Sequence, residues 1–255
     1  FYQTNLLSNE RMTPVSHFQD TRLLKFSIEA TKTEFTFMPG DILALLPHND
    51  IAAVDELLSL LQLDGSLLVH GIDSKTRVFW TTEVINFPIT LRDFIMRFVD
   101  ISAIPSRTCC RRMAQLVDMN AASYSEMHKE KLLELADDES EYLDYIWRPK
   151  RTILEVLRDF TPSVMVGLES ILQVFKPLRR RQFSIASAPK YVNGRWELEL
   201  CVALIEHELP GGRGKREGVI SRCFRTNELL NKSAQVFQGS WNIACLSGVR
   251  SVDRK

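Results

Sequence analysis

The stretch Arg179-Arg180-Arg181-Gln182-Phe183-Ser184-Ile185-Ala186-Ser187 is the most informative part of the sequence. Its pattern predicts an extended strand, in which Arg181 and Phe183 share a face and Ser184 presents its hydroxyl at the edge. A guanidinium can grip a diphosphate with two charge-assisted hydrogen bonds, and an aromatic ring two residues further on can cover a flat heterocycle. Taken alone, the stretch is better explained as a surface basic cluster beside one core phenylalanine.

A second short segment, Gly218-Val219-Ile220-Ser221, follows a strand and a polar loop and opens a predicted helix. Free backbone N–H groups and the positive end of the helix dipole make such a turn an anion site, to which a serine hydroxyl adds a donor. Taken alone, this segment is also better explained as an ordinary helix start. The rest of the chain decides how the two segments are interpreted.

The hydrophobic period changes twice along the chain. The first region is predicted to be β, because apolar and polar residues alternate through Leu24, Phe26, Ile28, Phe35 and Phe37, before a turn at Pro39-Gly40-Asp41 and a strand over 42–46. The middle is predicted to be helical, with capping-box spacing at Thr90/Asp93, Ser123/Glu126 and Thr152/Glu155. Strands return after 176, with a hairpin at Asn193-Gly194, a strand over 196–204 and closing strands near 236–237 and 243–244.

The order β, then α, then β favours one antiparallel barrel with a helical insertion over two sequential domains, because neither β region alone has enough strands to close. We therefore predict an α+β fold with an all-α connecting insertion. The predicted boundaries are 9–50 and 176–245 for the β-barrel, 51–175 for the helical subdomain and 246–255 for an atypical tail.

Composition gives no support for a nucleic-acid-binding, zinc-binding, disulfide-linked or membrane-spanning protein. Lys+Arg and Asp+Glu are both 32, so the formal charge is zero and gives no argument for nucleic acid or an anionic membrane as a partner. The 5 cysteines lack CxxC spacing, which argues against a zinc site or disulfide framework and favours reduced thiols in the cytoplasm. No apolar run approaches the roughly 20 residues that span a bilayer. The absence of an initiator methionine indicates a piece of a longer chain.

In order and spacing, the chain from about Asn9 to about Phe237 resembles the NADPH-dependent diflavin oxidoreductases. The segments that carry the resemblance are 16–23 (SHFQDTRL), 39–41 (PGD), 98–105 (FVDISAIP), 130–134 (EKLLE), 148–160 (RPKRTILEVLRDF), 181–187 (RQFSIAS) and 218–221 (GVIS). Members of this family have an FMN module, an FAD module with a helical connecting insertion, and an NADPH module. The sequence looks closest to the cytosolic type that reduces anamorsin in iron–sulfur cluster assembly.

The resemblance implies a ferredoxin-reductase-like split barrel that binds FAD, with a cofactor site at Lys150, Arg181, Gln182, Phe183, Ser184, Cys201, Ala203, Gly218, Val219, Ile220 and Ser221. Arg181 would contact the diphosphate, Phe183 would stack on the isoalloxazine, and Ser184 would hydrogen-bond near its reactive edge. The 218–221 turn would cradle the diphosphate, and Cys201 and Ala203 would line the flavin.

Several positions depart from the family pattern. Lys150 stands where the family has an arginine, which loses the planar fork, and Arg151 beside it could compensate. Phe183 replaces a tyrosine of many relatives and keeps the π face. Cys223 and Phe224 replace an aromatic residue and a leucine, and we expect these two changes to affect packing only.

The resemblance implies that FAD binds to this chain, whereas FMN and NADPH bind to modules that lie outside it. In the intact enzyme FAD would accept a hydride from NADPH and pass single electrons to FMN and on to an anamorsin-type iron–sulfur protein. The chain would be a fragment that does not turn over alone, with no catalytic side chain and no metal of its own. The alternative is a truncated interaction module whose helical insertion docks partners without flavin.

Overall fold

A computed structural model describes residues 2–30, 35–72, 85–212, 214–232 and 241–246. The chain forms two compact units. The first comprises 1–47, 179–207 and 216–255, and the second comprises 48–178 and 208–215. The predicted mixture of helices and antiparallel strands is confirmed. None of the described helices is both long and apolar enough to cross a membrane.

In chain order the described strands are β1 (Tyr2–Arg11), β2 (Thr21–Ile28), β3 (Ile42–Leu45), β4 (Leu68–Val69), β5 (Ile89–Thr90), β6 (Val99–Asp100), β7 (Lys176–Pro177), β8 (Arg181–Ser184), β9 (Lys190–Val192), β10 (Arg195–Ala203), β11 (Glu206–Glu208), β12 (Lys215–Glu217) and β13 (Trp241–Leu246). The α-helices are α1 (Ile51–Leu60), α2 (Leu91–Phe98), α3 (Arg107–Gln115), α4 (Ser125–Asp137), α5 (Glu139–Tyr142), α6 (Ile153–Phe160), α7 (Ile171–Val174) and α8 (Val219–Lys232). A π-helical turn covers Leu143–Trp147, and 3₁₀ turns cover Leu168–Ser170 and Pro210–Gly212.

The first unit is built on one antiparallel sheet of order β8-β3-β13-β1-β2-β10-β9. Directly after β8, Ile185 forms an isolated antiparallel bridge with Leu200 of β10. The Ala186 N–H donates to the Glu199 carbonyl at 2.8 Å. The segment that begins as β8 therefore pairs first with β3 and then with β10.

Alternation along the strands places the core of the first unit. The prediction for β2 is confirmed, since Leu24, Phe26 and Ile28 are fully buried. On β10 the buried residues alternate with exposed or half-buried ones. The two strands are neighbours in register, with Leu24 opposite Leu200 and Phe26 opposite Leu198. Their buried faces therefore contribute to one apolar core.

The second unit shows how far helix starts can be predicted. Thr90 accepts a hydrogen bond from the Asp93 N–H, and Thr152 with Glu155 forms both bonds of a capping box, so these two predictions are confirmed. The Ser123/Glu126 prediction is wrong, because α4 begins two residues later and its start has no side-chain cap.

One strand prediction is wrong, and one strand of the structure was not predicted. Phe35 and Phe37 do not lie in a strand, yet both are buried and their rings lie 6.1 and 5.7 Å from the Trp196 ring. The two-residue spacing of Phe35 and Phe37 therefore reflects their packing around the Trp196 indole rather than pairing in a β-sheet. Strand β1 was not anticipated, because a register shift between Leu6 and Ser8 interrupts its alternation.

The turns and closing elements agree with the sequence patterns where the structure describes them. Asn193 and Gly194 have φ of 51° and 80°, as a two-residue hairpin requires. Strand β13 contains Ile243 and Ala244 and ends at Leu246, the first residue of the predicted tail 246–255. Residues 236–237 and 247–255 lie outside the described residues. The charged segment between β10 and α8 forms the β11–β12 hairpin.

Candidate functional site

Strand β8 presents the predicted arginine–aromatic–serine pattern with alternating burial. Arg181 and Phe183 are half-buried, whereas Gln182 and Ser184 are exposed. The strand pairs with β3, with Phe183 opposite Leu43 and Ser184 opposite Ile42. A guanidinium N–H of Arg181 donates to the Arg179 carbonyl at 2.7 Å. The arginine head is therefore held near the start of the strand.

The turn before α8 is hydrogen-bonded to Ile205, which lies two residues after the end of strand β10. The Gly218 N–H donates to the Ile205 carbonyl at 2.9 Å, and the Ile205 N–H donates to the Ser221 hydroxyl oxygen at 2.8 Å. The N–H groups of Val219, Ile220 and Ser221 belong to the first turn of α8, where a helix offers them no acceptor of its own. They form the donor set of this turn.

The side chains of this turn also contribute to the structure of the first unit. Ile220 and Ser221 are buried, and Ile220 belongs to the apolar core of the unit. The Ser221 oxygen already accepts the Ile205 N–H, so only its single hydroxyl proton is left to donate. Because the Gly218 N–H is bonded to Ile205, any contact of this turn with an anion depends on the following N–H groups.

Strand β10 places Cys201 and Ala203 on its outer face, away from buried Leu200 and Val202. The Cys201 sulfur lies 3.9 Å from the sulfur of Met12. Both predicted residues therefore belong to an accessible strip of the first unit.

Lys150 lies in the second unit, three residues after the end of the π-helical turn. It has a φ of 55°, its N–H donates to the Trp147 carbonyl at 3.1 Å, and its Nζ lies 5.9 Å from the centre of the Trp147 ring. Neighbouring Arg151 pairs with Asp159 and lies over the Tyr145 ring at 4.6 Å. Arg151 is therefore occupied within its own unit, and the expectation that it could compensate for Lys150 finds no support.

The groups of the first unit fit a flavin dinucleotide. They are a guanidinium on β8, a half-buried aromatic ring two residues along, and the donors of the first turn of α8. Strand β8 and helix α8 meet at Phe183 and Phe224, whose ring centroids are 6.4 Å apart. Cation, aromatic surface and N–H donors are therefore contributed by adjacent elements, as a diphosphate joined to a flat ring system requires.

Sequence reasoning missed two residues that organise this region. Ile205 fastens the α8 turn through both of its backbone groups, which leave no signal in the sequence. Phe224 was expected to affect packing only, and the residue against which its ring packs, the predicted stacking residue Phe183, could not be identified from the sequence. The signal available for Phe224 was its departure from the family pattern.

The chain belongs to the FAD binding domain family, whose model matches residues 1–223.

The chain is also similar to curated proteins named NADPH-dependent diflavin oxidoreductase 1. The protein of Aspergillus fumigatus is 32% identical over 85% of this chain and 34% of its own length. The Schizosaccharomyces pombe protein is 29% identical over 86% of this chain and 36% of its own length. The Danio rerio protein is 34% identical over 72% of this chain and 30% of its own length. The chain thus spans about a third of the length of the curated relatives it matches.

Proposed function

We propose that this chain is the FAD-binding part of an NADPH-dependent diflavin reductase. The observation that carries the proposal is the meeting of β8 and α8 at Phe183 and Phe224, in a chain that belongs to the FAD binding domain family. The names of its relatives support the NADPH-dependent reductase class. When bound, FAD would supply hydride acceptance from NADPH and release of single electrons.

In this proposal the protein binds and orients the cofactor. Arg181 would hold the diphosphate through charge-assisted hydrogen bonds, and the N–H groups of residues 219–221 would donate to the same group. Phe183, which is half-buried, would stack on the isoalloxazine, and the hydroxyl of exposed Ser184 would hydrogen-bond to it. Gln182, Cys201 and Ala203 would line the accessible surface of the first unit. The role of Lys150, which lies in the second unit, stays a prediction from the family resemblance.

The architecture that we propose is a split barrel interrupted by the helical subdomain. The bridge between Ile185 and Leu200 supports closure, because it joins the β8 end of the ladder to β10. The boundaries are those predicted above, 9–50 and 176–245 for the barrel and 51–175 for the insertion. FMN and NADPH modules in the remainder of the enzyme would complete electron transfer to an anamorsin-type acceptor in cytoplasmic iron–sulfur assembly.

Titration of the purified chain with FAD tests the proposal. The wild-type chain should bind FAD and turn yellow, and Arg181→Ala should weaken binding about tenfold to a hundredfold, as loss of hydrogen bonds to a charged group predicts. Arg195→Ala is the matched control, because Arg195 lies on the same sheet in an exposed ion pair with Glu29 at 2.9 Å. Unchanged affinity in Arg181→Ala would refute the diphosphate role.

The competing function is an interaction module that docks partners without flavin. A folded wild-type chain that fails to bind FAD would support this alternative and overturn the proposal. Folding is checked independently by far-ultraviolet circular dichroism, so loss of structure and loss of binding are told apart.

A further inference from the structure

Phe224 connects the helix start to the proposed flavin-stacking residue. Its side chain is fully buried, and its ring meets the Phe183 ring edge-on at 6.4 Å with an interplanar angle of 61°. Phe183 itself is only half-buried. The Phe183 ring therefore packs against Phe224 at one edge, and the exposed part of the ring is available to a ligand.

The backbone of Phe224 is hydrogen-bonded to the sheet through a partly buried row of polar side chains. The Asn9 amide donates to the Phe224 carbonyl at 2.8 Å, and the Asn9 oxygen accepts from the Arg22 guanidinium at 3.2 Å. Arg22, which is 6% exposed, pairs with Asp20 at 2.9 Å. Asn9 and Arg22 lie on β1 and β2, so α8 is tied to the two strands at the start of the chain.

The same helix carries the predicted anion-binding turn. Ser221 lies three residues before Phe224, which is less than one helical turn, and its hydroxyl oxygen accepts the Ile205 N–H at 2.8 Å. A shift of α8 would therefore move the first-turn N–H groups and the Phe224 ring together. Helix α8 therefore links the groups proposed to bind the diphosphate to the aromatic pair proposed to bind the flavin ring.

We infer that Phe224 is a positioning residue of the flavin site: its ring orients Phe183, and its carbonyl, held by Asn9, sets the position of the α8 turn. The inference rests on the proposed function. It assigns to Phe224 an effect on the bound cofactor, in addition to its contribution to the core.

A double-mutant cycle for FAD binding tests this coupling. Phe224→Leu should weaken FAD binding about threefold to tenfold, the range expected for an aromatic pair, and should change the visible circular dichroism of bound FAD. In a Phe183→Leu background the same substitution should add less than about twofold, because the ring it orients is gone.

Phe37→Leu is the matched control, since it removes the same volume from the same buried core. The Phe37 ring contacts Phe35 and Trp196. It should lower thermal stability and leave FAD affinity and the flavin spectrum unchanged. Equal effects of Phe224→Leu and Phe37→Leu on both cofactor readouts would overturn the inference. Absence of FAD binding by the wild-type chain would instead overturn the proposed function.

A second variant keeps the test decisive if Phe224→Leu does not fold. Asn9→Asp keeps an acceptor for Arg22 and removes the donor to the Phe224 carbonyl. It should weaken FAD binding by about twofold to tenfold, corresponding to one hydrogen bond, and shift the flavin circular dichroism in the same direction. A folded Asn9→Asp chain with wild-type affinity and spectrum would contradict the role assigned to this anchor.

Discussion

At the scale of single residues, the described cysteines differ in exposure, since Cys201 is exposed whereas Cys109 and Cys110 are buried. Burial raises the pKa of Cys109 to about 12, with a smaller contribution from neighbouring Cys110, and burial raises the pKa of Cys110 to about 11. The Cys109 thiol also donates to the Val174 carbonyl at 3.2 Å. Because only the thiolate is nucleophilic, a raised pKa keeps both groups inert at neutral pH.

Alkylation with iodoacetamide at pH 8 should therefore modify exposed Cys201 and spare Cys109 and Cys110 in the folded chain. Peptide mass mapping reads out each site, and Cys201→Ser is the control that removes the expected label. Urea should make all three thiols reactive. Labelling of Cys109 or Cys110 without denaturant would show that α3 opens in the native state.

The residue scale also shows what a sequence can reveal about the candidate site. Alternation predicted that Arg181 and Phe183 share a face, and their burial agrees. The acceptor role of Ser221 could not be predicted, because it depends on a backbone N–H sixteen residues earlier, at Ile205. Such contacts are set by how strands and helices come together in space.

At the scale of elements, the capping box of α6 gives a direct test of a local rule. Thr152→Ala removes the side-chain acceptor of the Glu155 N–H and should lower the free energy of unfolding by about 1 kcal/mol. Ser123→Ala is the matched control, since this exposed serine has the same sequence spacing but caps no helix. Urea unfolding followed by circular dichroism measures both, and equal losses would contradict the assignment.

Local chemistry explains which elements were predictable. The caps at Thr90 and Thr152 and the Asn193-Gly194 hairpin depend on a few neighbouring residues, and all three formed. The predicted cap at Ser123 did not form, since α4 starts at Ser125, whose buried hydroxyl contacts Ser163 at 3.2 Å. The start of α4 therefore coincides with a contact to a residue that is distant in sequence, which the local spacing could not predict.

At the scale of the whole molecule, FAD binding should raise the free energy of unfolding and therefore the Tm. A ligand at 100 times its Kd stabilises the native state by about 2.7 kcal/mol, and 1 kcal/mol raises Tm by about 2–4 °C for 150–250 residues. The wild-type chain should therefore melt several degrees higher with saturating FAD, as measured by differential scanning fluorimetry. Arg181→Ala should need a higher FAD concentration for the same shift. An FAD-independent Tm would count against the site.

The sheet of the first unit also has a consequence for how the chain is synthesised. Strand β2 pairs with β10, with Leu24 opposite Leu200, and the helical unit lies between them in sequence. At about 5–20 residues per second, roughly 10–35 s separate the emergence of these partners from the ribosome. During that interval the apolar face of β2 lacks its neighbour. The nascent chain is thus expected to depend on chaperone protection until translation has passed β10.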